Sequence, residues 1–168
     1  MNILLKKQKV GAYLYVAVFV LTLVCFIIYL ANGANKGYFQ GTTESVVVLL
    51  SILGLLFTLA VIIIPQFTFN GVVAKIMDVL VEAIRIVIPL VLMSAFIIFT
   101  GSRLEGLSYI FFSNANALAE IQTPVNLASA YTAITGIVFF LITQIVSVVA
   151  TFFPLTKSPE ELEPIVSK

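Results

Sequence analysis

Four long apolar stretches, separated by shorter polar segments, dominate the pattern of the chain. A membrane-spanning helix needs about 20 mostly apolar residues, because each residue advances about 1.5 Å through about 30 Å of hydrocarbon. Four segments reach that length: about 10–31, 45–64, 79–100 and 127–153. The third does so only by including the turn that carries Glu82 and Arg85. The pattern therefore predicts an all-α protein, an integral membrane four-helix bundle.

The segments between the predicted spans are too short to form a separate soluble domain. We therefore predict one four-span transmembrane domain over residues 1–156, with outer loops at 32–44 and 101–126. The second loop is expected to contain a short helix around 114–121. Residues 157–168 are acidic and rich in proline, which predicts a disordered tail.

Lysine and arginine are distributed unevenly between the two predicted sides of the membrane. With the amino terminus inside, Lys36 and Arg103 are the two outer basic residues of the nine in the chain. The other seven lie inside: Lys6, Lys7, Lys9, Lys75, Arg85, Lys157 and Lys168. Cytoplasmic loops carry such an excess, so we predict a multi-pass protein of the cell membrane with both termini cytoplasmic.

The tyrosines agree with this placement, because a tyrosine ring is buried at the membrane surface while its hydroxyl stays hydrated. All six fall near predicted span ends: Tyr13, Tyr15, Tyr29, Tyr38, Tyr109 and Tyr131.

The amino-acid composition excludes several kinds of catalytic and binding site. The chain is 61% hydrophobic and 10% charged, whereas soluble domains are about 45–50% apolar and about 25% charged. Histidine is absent and there is one cysteine, which excludes imidazole metal ligands, His-based triads and an intrachain disulfide. A net charge of +1 gives no basic excess for nucleic acid. We therefore expect no catalytic residues, no cofactor, no metal site and no enzymatic activity, because acid/base chemistry needs positioned titratable groups.

Charged residues before the third span form a pattern typical of an amphipathic helix over residues 72–85. Steps of three, four and three residues place the charges on one face: Lys75, Asp78, Glu82 and Arg85. Their alternating signs allow Lys75 to pair with Asp78 and Glu82 with Arg85. Pro89 would bend the helix just above them. The stripe is either the point where the helix leaves the headgroups, or an inner gate or docking patch.

Polar and small residues mark one side of the fourth predicted span: Thr132, Thr135, Gly136, Thr143, Gln144 and Ser147. Such residues let helices approach closely and hydrogen-bond across the contact. They predict either packing inside the bundle or against a second copy, or a polar path for a small solute. A shorter stripe, Ser51, Gly54 and Thr58, is expected to pack against this face.

Aromatic and charged residues also occur together before the fourth span, where they are candidates for outer recognition: Arg103, Glu105, Tyr109 and Glu120. Residues 109–112 either lie on the membrane surface or extend the third span.

Short motifs in the outer segments resemble small four-span membrane proteins of Gram-positive bacteria, a group of uncharacterised function. They are Asn32-Gly33, the Gly-Tyr-Phe-Gln-Gly sequence of residues 37–41, and Tyr-Ile-Phe at 109–111. The resemblance implies no activity.

The function hypothesis is therefore a non-enzymatic integral membrane protein that self-associates or serves as an accessory or scaffold subunit of a membrane complex. Its expected partners are the lipid bilayer and a second copy or another membrane protein. The alternative is a small oligomeric transporter or channel that uses the polar face of the fourth span.

Overall fold

The chain folds into five α-helices, seen in a computed structural model that describes residues 8–67, 69 and 71–156. Their bounds are Val10–Ala34 (α1), Ser45–Ile63 (α2), Gly71–Phe112 (α3), Ala115–Ile121 (α4) and Pro124–Thr151 (α5). A short 3-10 helix, Ile64–Gln66, follows α2. The described residues contain no β-strand, so the predicted all-α class is confirmed for them.

Four of these helices, α1, α2, α3 and α5, are long and apolar enough to cross a membrane. They correspond in number and order to the four predicted spans. The predicted tail, 157–168, lies outside the described residues, as do Lys6 and Lys7.

The four long helices form a closed ring in which each packs against two neighbours. α1 contacts α2 and α5, and α3 contacts the same two helices. Gln8 and Thr156 form an isolated bridge at one end of the bundle, which we call the terminal end. Residues 35–44 and 113–123 connect helices at the opposite end, the loop end.

The expected pairing of the α2 stripe with α5 is wrong, because α2 lies across the ring from α5. Gly54 faces Leu92 of α3 and Thr22 of α1 instead, since a Cβ at Gly54 would lie 2.8 Å from Leu92. The physical reason is the chain path. Short connections make α2 a neighbour of α1 and α3, and α5 closes the ring between those two helices.

Side chains are distributed as expected for a protein surrounded by apolar solvent. Large hydrophobic residues are exposed along each long helix, for example Ile27 at 57%, Leu49 at 57% and Leu90 at 63%. The interior contains polar residues that are fully buried, among them Thr22 and Ser51. Burial alone thus does not separate apolar from polar residues in this bundle.

Helix α3 is much longer than the span predicted within it. Its 42 residues include the amphipathic segment 72–85 at one end and residues 109–112 at the other. Residues 109–112 therefore extend the helix, and nearly half of the predicted outer loop 101–126 belongs to α3. Pro89 lies buried inside α3 and does not end it.

The start of α5 also differs from the prediction. The helix begins at Pro124, three residues before the predicted 127, because Thr123 caps it. The Thr123 hydroxyl accepts a hydrogen bond from the Asn126 N–H at 3.2 Å. Proline suits the first helical position, where no intrahelical N–H bond is lost.

Candidate functional site

Arg85 is the central charged residue at the terminal end of the bundle. Only 6% of it is exposed. One guanidinium nitrogen donates to the carbonyl oxygens of Thr151 at 2.8 Å and Phe153 at 2.7 Å. The other donates to the Glu82 carboxylate at 2.5 Å. Since the last carbonyls of a helix have no intrahelical donor, Arg85 caps α5 from α3.

The predicted charge stripe is only partly paired. Glu82 and Arg85 form the expected ion pair, whereas the Lys75 ammonium and the Asp78 carboxylate do not pair with each other. Lys75, Asp78 and Glu82 are exposed. Tyr15 lies under Arg85, with the guanidinium carbon 5.8 Å from the ring centroid. The stripe thus divides into a buried structural arginine and three solvent-facing charges.

A cavity of about 580 Å³ lies beside these charges at the terminal end. Asp78, Glu82 and Arg85 form its polar side, and Phe67 and Leu155 contribute to its apolar side. The terminal nitrogens of Arg85 already donate to Glu82 and to α5, and its unpartnered Nε is buried. The exposed charges at this cavity are therefore the carboxylates of Asp78 and Glu82. Three of the predicted gate or docking residues therefore line one cavity, whereas Lys75 is not among its lining residues and Pro89 is buried in the bundle.

Arg103 is the matching residue at the loop end, and it is 1% exposed. It donates to the Thr42 hydroxyl at 2.7 Å and to the Thr42 carbonyl at 3.1 Å. Its guanidinium carbon lies 4.8 Å from the Phe39 ring centroid and 5.5 Å from that of Phe99. A guanidinium over aromatic rings is stabilised by cation–π attraction, which is strongest where water is excluded. Arg103 is thus a structural residue that holds the 35–44 segment, and it is not accessible for the predicted recognition role.

Buried polar contacts tie the same segment to α1 and α5. The Asn32 amide donates to the Ser129 carbonyl at 2.8 Å, and the Ser129 hydroxyl accepts from the Phe39 N–H at 3.3 Å. Gly37 adopts φ +137° against Ser129, a conformation that glycine tolerates. The loop end is therefore a packed polar and aromatic cap.

Sequence reasoning missed the roles of Tyr29, Asn32, Phe39 and Thr42 in this cap. Tyr15 and Tyr29 were expected at the headgroup layer, yet both are 0% exposed. The hydroxyl of Tyr29 accepts a hydrogen bond from the Glu44 N–H at 2.5 Å. A signal was available for Asn32, since an amide side chain next to a glycine at the end of an apolar helix needs a buried partner.

The predicted polar face of α5 is split by the structure. Gly136, Thr143 and Ser147 are buried, whereas Thr132 is half-buried and Thr135 is exposed. Each hydroxyl donates to a carbonyl of its own helix, as in Thr135 to Tyr131 at 2.8 Å and Thr143 to Phe139 at 2.7 Å. These bonds satisfy the hydroxyls without a solute.

The buried half of that face is filled by neighbouring side chains. A Cβ at Gly136 would lie 2.9 Å from the Phe99 ring, so α3 packs directly on the α5 backbone. The Cys25 sulfur lies 3.2 Å from the Thr143 hydroxyl. Gln144 is half-buried, and its side-chain oxygen has no partner among the described residues. The arrangement favours helix packing over a polar path.

Two of the predicted recognition residues meet in an open depression at the loop end. Glu105 and Tyr109 line a space of about 510 Å³ together with Tyr38, Ser108, Phe112 and Ser113. Glu120 is exposed on α4 and is not among these lining residues. Within the described residues, no group of three or more His, Cys, Asp or Glu side chains is placed to bind a metal ion.

Comparison of the chain with protein-family models, curated proteins and solved structures found no match in any of the three.

Proposed function

We propose that this chain is a multi-pass membrane protein with both ends in the cytoplasm, and that it self-associates or serves as an accessory subunit. The two buried arginines support the membrane position. Arg85 and Arg103 are 18 residues apart in one helix, which corresponds to about 27 Å. Residues 86–102 between them carry no charge. That spacing agrees with a hydrocarbon layer of about 27–30 Å.

The inside-positive distribution of lysine and arginine supports a cytoplasmic position for the terminal end. Lys36, at the loop end, and Lys75, at the terminal end, are both exposed and provide a matched pair for testing this. We expect Lys36→Cys to react with a membrane-impermeant maleimide on intact cells, and Lys75→Cys to react only after permeabilisation. Both variants would carry Cys25→Ser, so that the introduced cysteine is the one thiol in the chain. The opposite labelling pattern would contradict the orientation.

The projecting start of α3 carries the functional proposal. Residues 72–84 precede Arg85 and extend about 20 Å along the helix axis. Val72 is 74% exposed, Ile76 59% and Val79 70%. In the proposed position these side chains lie outside the hydrocarbon layer. Apolar surface that is exposed to water is unfavourable unless another molecule covers it. A second copy or a partner membrane protein would bury them.

The interior of the bundle also fits an accessory role better than transport. Hydroxyl groups on α5 bond to their own helix, and Phe99 fills the space at Gly136. Ionisable groups deep in a span are typical of coupled transport, and residues 86–102 of α3 contain none.

Crosslinking in native membranes tests the proposal. With Cys25→Ser as background, we expect Val79→Cys, coupled to a photoreactive maleimide, to form adducts with a second copy or with another membrane protein. Val81→Cys is the matched control, because Val81 is 6% exposed and faces the bundle. Absence of adducts from position 79, or equal yields from both positions, would contradict the proposed association.

A further inference from the structure

The open depression at the loop end has the chemistry of a cation site. α3 places Glu105, Ser108, Tyr109 and Phe112 on one face, because residues three, four and seven positions apart in a helix are neighbours. Tyr38 completes it from the 35–44 segment, with its ring centroid 6.3 Å from that of Tyr109. Two tyrosine rings and a carboxylate thus border the same space.

The 35–44 segment holds Tyr38 in place from behind. The Tyr38 ring packs edge-on against the Phe39 ring, with centroids 5.3 Å apart. Phe39 is 2% exposed and lies over Arg103. Gly106 allows this approach, since a Cβ there would lie 2.5 Å from the Phe39 ring and 2.6 Å from that of Tyr38. The position of the Tyr38 ring is therefore fixed by its packing against Phe39 and Gly106.

Charge favours a positive ligand at this position. Glu105 is exposed, and it forms no ion pair with any described residue. Arg103, two residues earlier, is buried and donates to Thr42. The lining residues carry no positive charge. Aromatic faces attract cations through their quadrupole, so both the carboxylate and the rings favour a cation and disfavour phosphate or carboxylate ligands.

The position of the depression along the axis of α3 indicates where a cationic ligand would come from. Glu105 and Phe112 lie about 3 Å and about 14 Å beyond Arg103 along the helix axis. In the proposed membrane position this range begins in the headgroup layer, which is roughly 5–8 Å thick on each side. Phe112 is 84% exposed, so a ligand with apolar substituents around its charge would also cover a bare ring.

We infer that this depression binds a quaternary ammonium group. Glu105 supplies the counter-charge, and Tyr38 and Tyr109 contact the N-methyl groups. The group belongs either to a free ammonium compound or to the headgroup of a choline lipid. The lipid source rests on the proposed membrane position, whereas the site itself does not depend on the proposed association.

Two measurements on the purified full chain distinguish the sources. In phosphatidylglycerol nanodiscs, saturation-transfer NMR of the N-methyl protons reports binding of free choline. Native mass spectrometry reports whether phosphatidylcholine is retained over phosphatidylglycerol with the same acyl chains. Binding in either measurement is the expected result. A signal in the first assigns the site to a free ammonium compound, and retention in the second alone assigns it to a lipid headgroup.

Glu105→Gln and Tyr109→Leu are each expected to weaken the binding detected in either measurement about fivefold. Glu120→Gln is the matched control, because it removes the same charge from the same end outside the depression. Thermal unfolding of each variant verifies that the bundle is intact. No binding of choline or of phosphatidylcholine would overturn the inference. An equal loss in Glu105→Gln and Glu120→Gln would also overturn it, because it would indicate attraction by surface charge in general.

Discussion

Arg85→Met is expected to lower the free energy of unfolding by about 3 kcal/mol. Hydrogen bonds from a charged donor are each worth about 1.5–3 kcal/mol, and Arg85 donates to Thr151, Phe153 and Glu82. A cation at a helix carboxyl end adds up to about 2 kcal/mol in partly buried positions. Since methionine replaces part of the lost packing, the net loss is smaller than the sum. Unfolding by SDS titration in mixed micelles measures it.

Lys75→Met is the control for this prediction, because it removes the same charge from an exposed position on the same helix. Its expected effect is below about 0.5 kcal/mol. Arg85→Lys should be intermediate, since an ammonium keeps the charge but lacks the planar fork that reaches several acceptors. Equal stability of Arg85→Met and Lys75→Met would show that the α5 end does not need this cap.

Gly11→Ala is expected to destabilise the bundle by about 2 kcal/mol, in the range observed for overpacking. Gly11 lies in the first turn of α1, where its N–H donates to the Pro154 carbonyl at 3.2 Å. A Cβ would lie 2.5 Å from the Phe153 oxygen and 2.6 Å from the Pro154 oxygen. Both are backbone atoms, which cannot move aside as a flexible side chain could, so α1 and the segment that follows α5 must separate.

Gly101→Ala provides the opposite case in α3. No atom lies within 4 Å of a Cβ at Gly101, and alanine favours a helix over glycine by about 0.8–1 kcal/mol. We therefore expect this variant to be as stable as the parent or up to about 1 kcal/mol more stable. The same substitution should thus have opposite signs at two helical glycines. Destabilisation by Gly101→Ala comparable to that by Gly11→Ala would contradict the packing at these positions.

The two buried arginines of α3 show which contacts the sequence predicts and which it does not. Glu82 and Arg85 are three residues apart, so their pairing follows from helix geometry alone. The partners of Arg85 on α5 lie more than 60 residues away. Arg103 appeared as an outer recognition residue for the same reason, because nothing local indicates that Thr42 and Phe39 enclose it.

Helix ends were predicted less well than helix cores. α3 continues from Gly71 to Phe112 through Pro89, because neighbouring helices and the next turn support the backbone around a buried proline. Gly106 is a helix-weakening residue by propensity. In this fold it is needed, since Tyr38 and Phe39 pack against its bare backbone.

The sequence by itself determined the all-α class and the number and order of the long apolar helices. A run of about 20 apolar residues satisfies its backbone hydrogen bonds only as a helix when water is absent. Tertiary structure alone decided which helices are neighbours, which hydroxyl groups are buried, and which arginines are enclosed. When nearly every position is apolar, hydrophobicity does not distinguish the surface from the core, so close fit and distant polar partners make that choice.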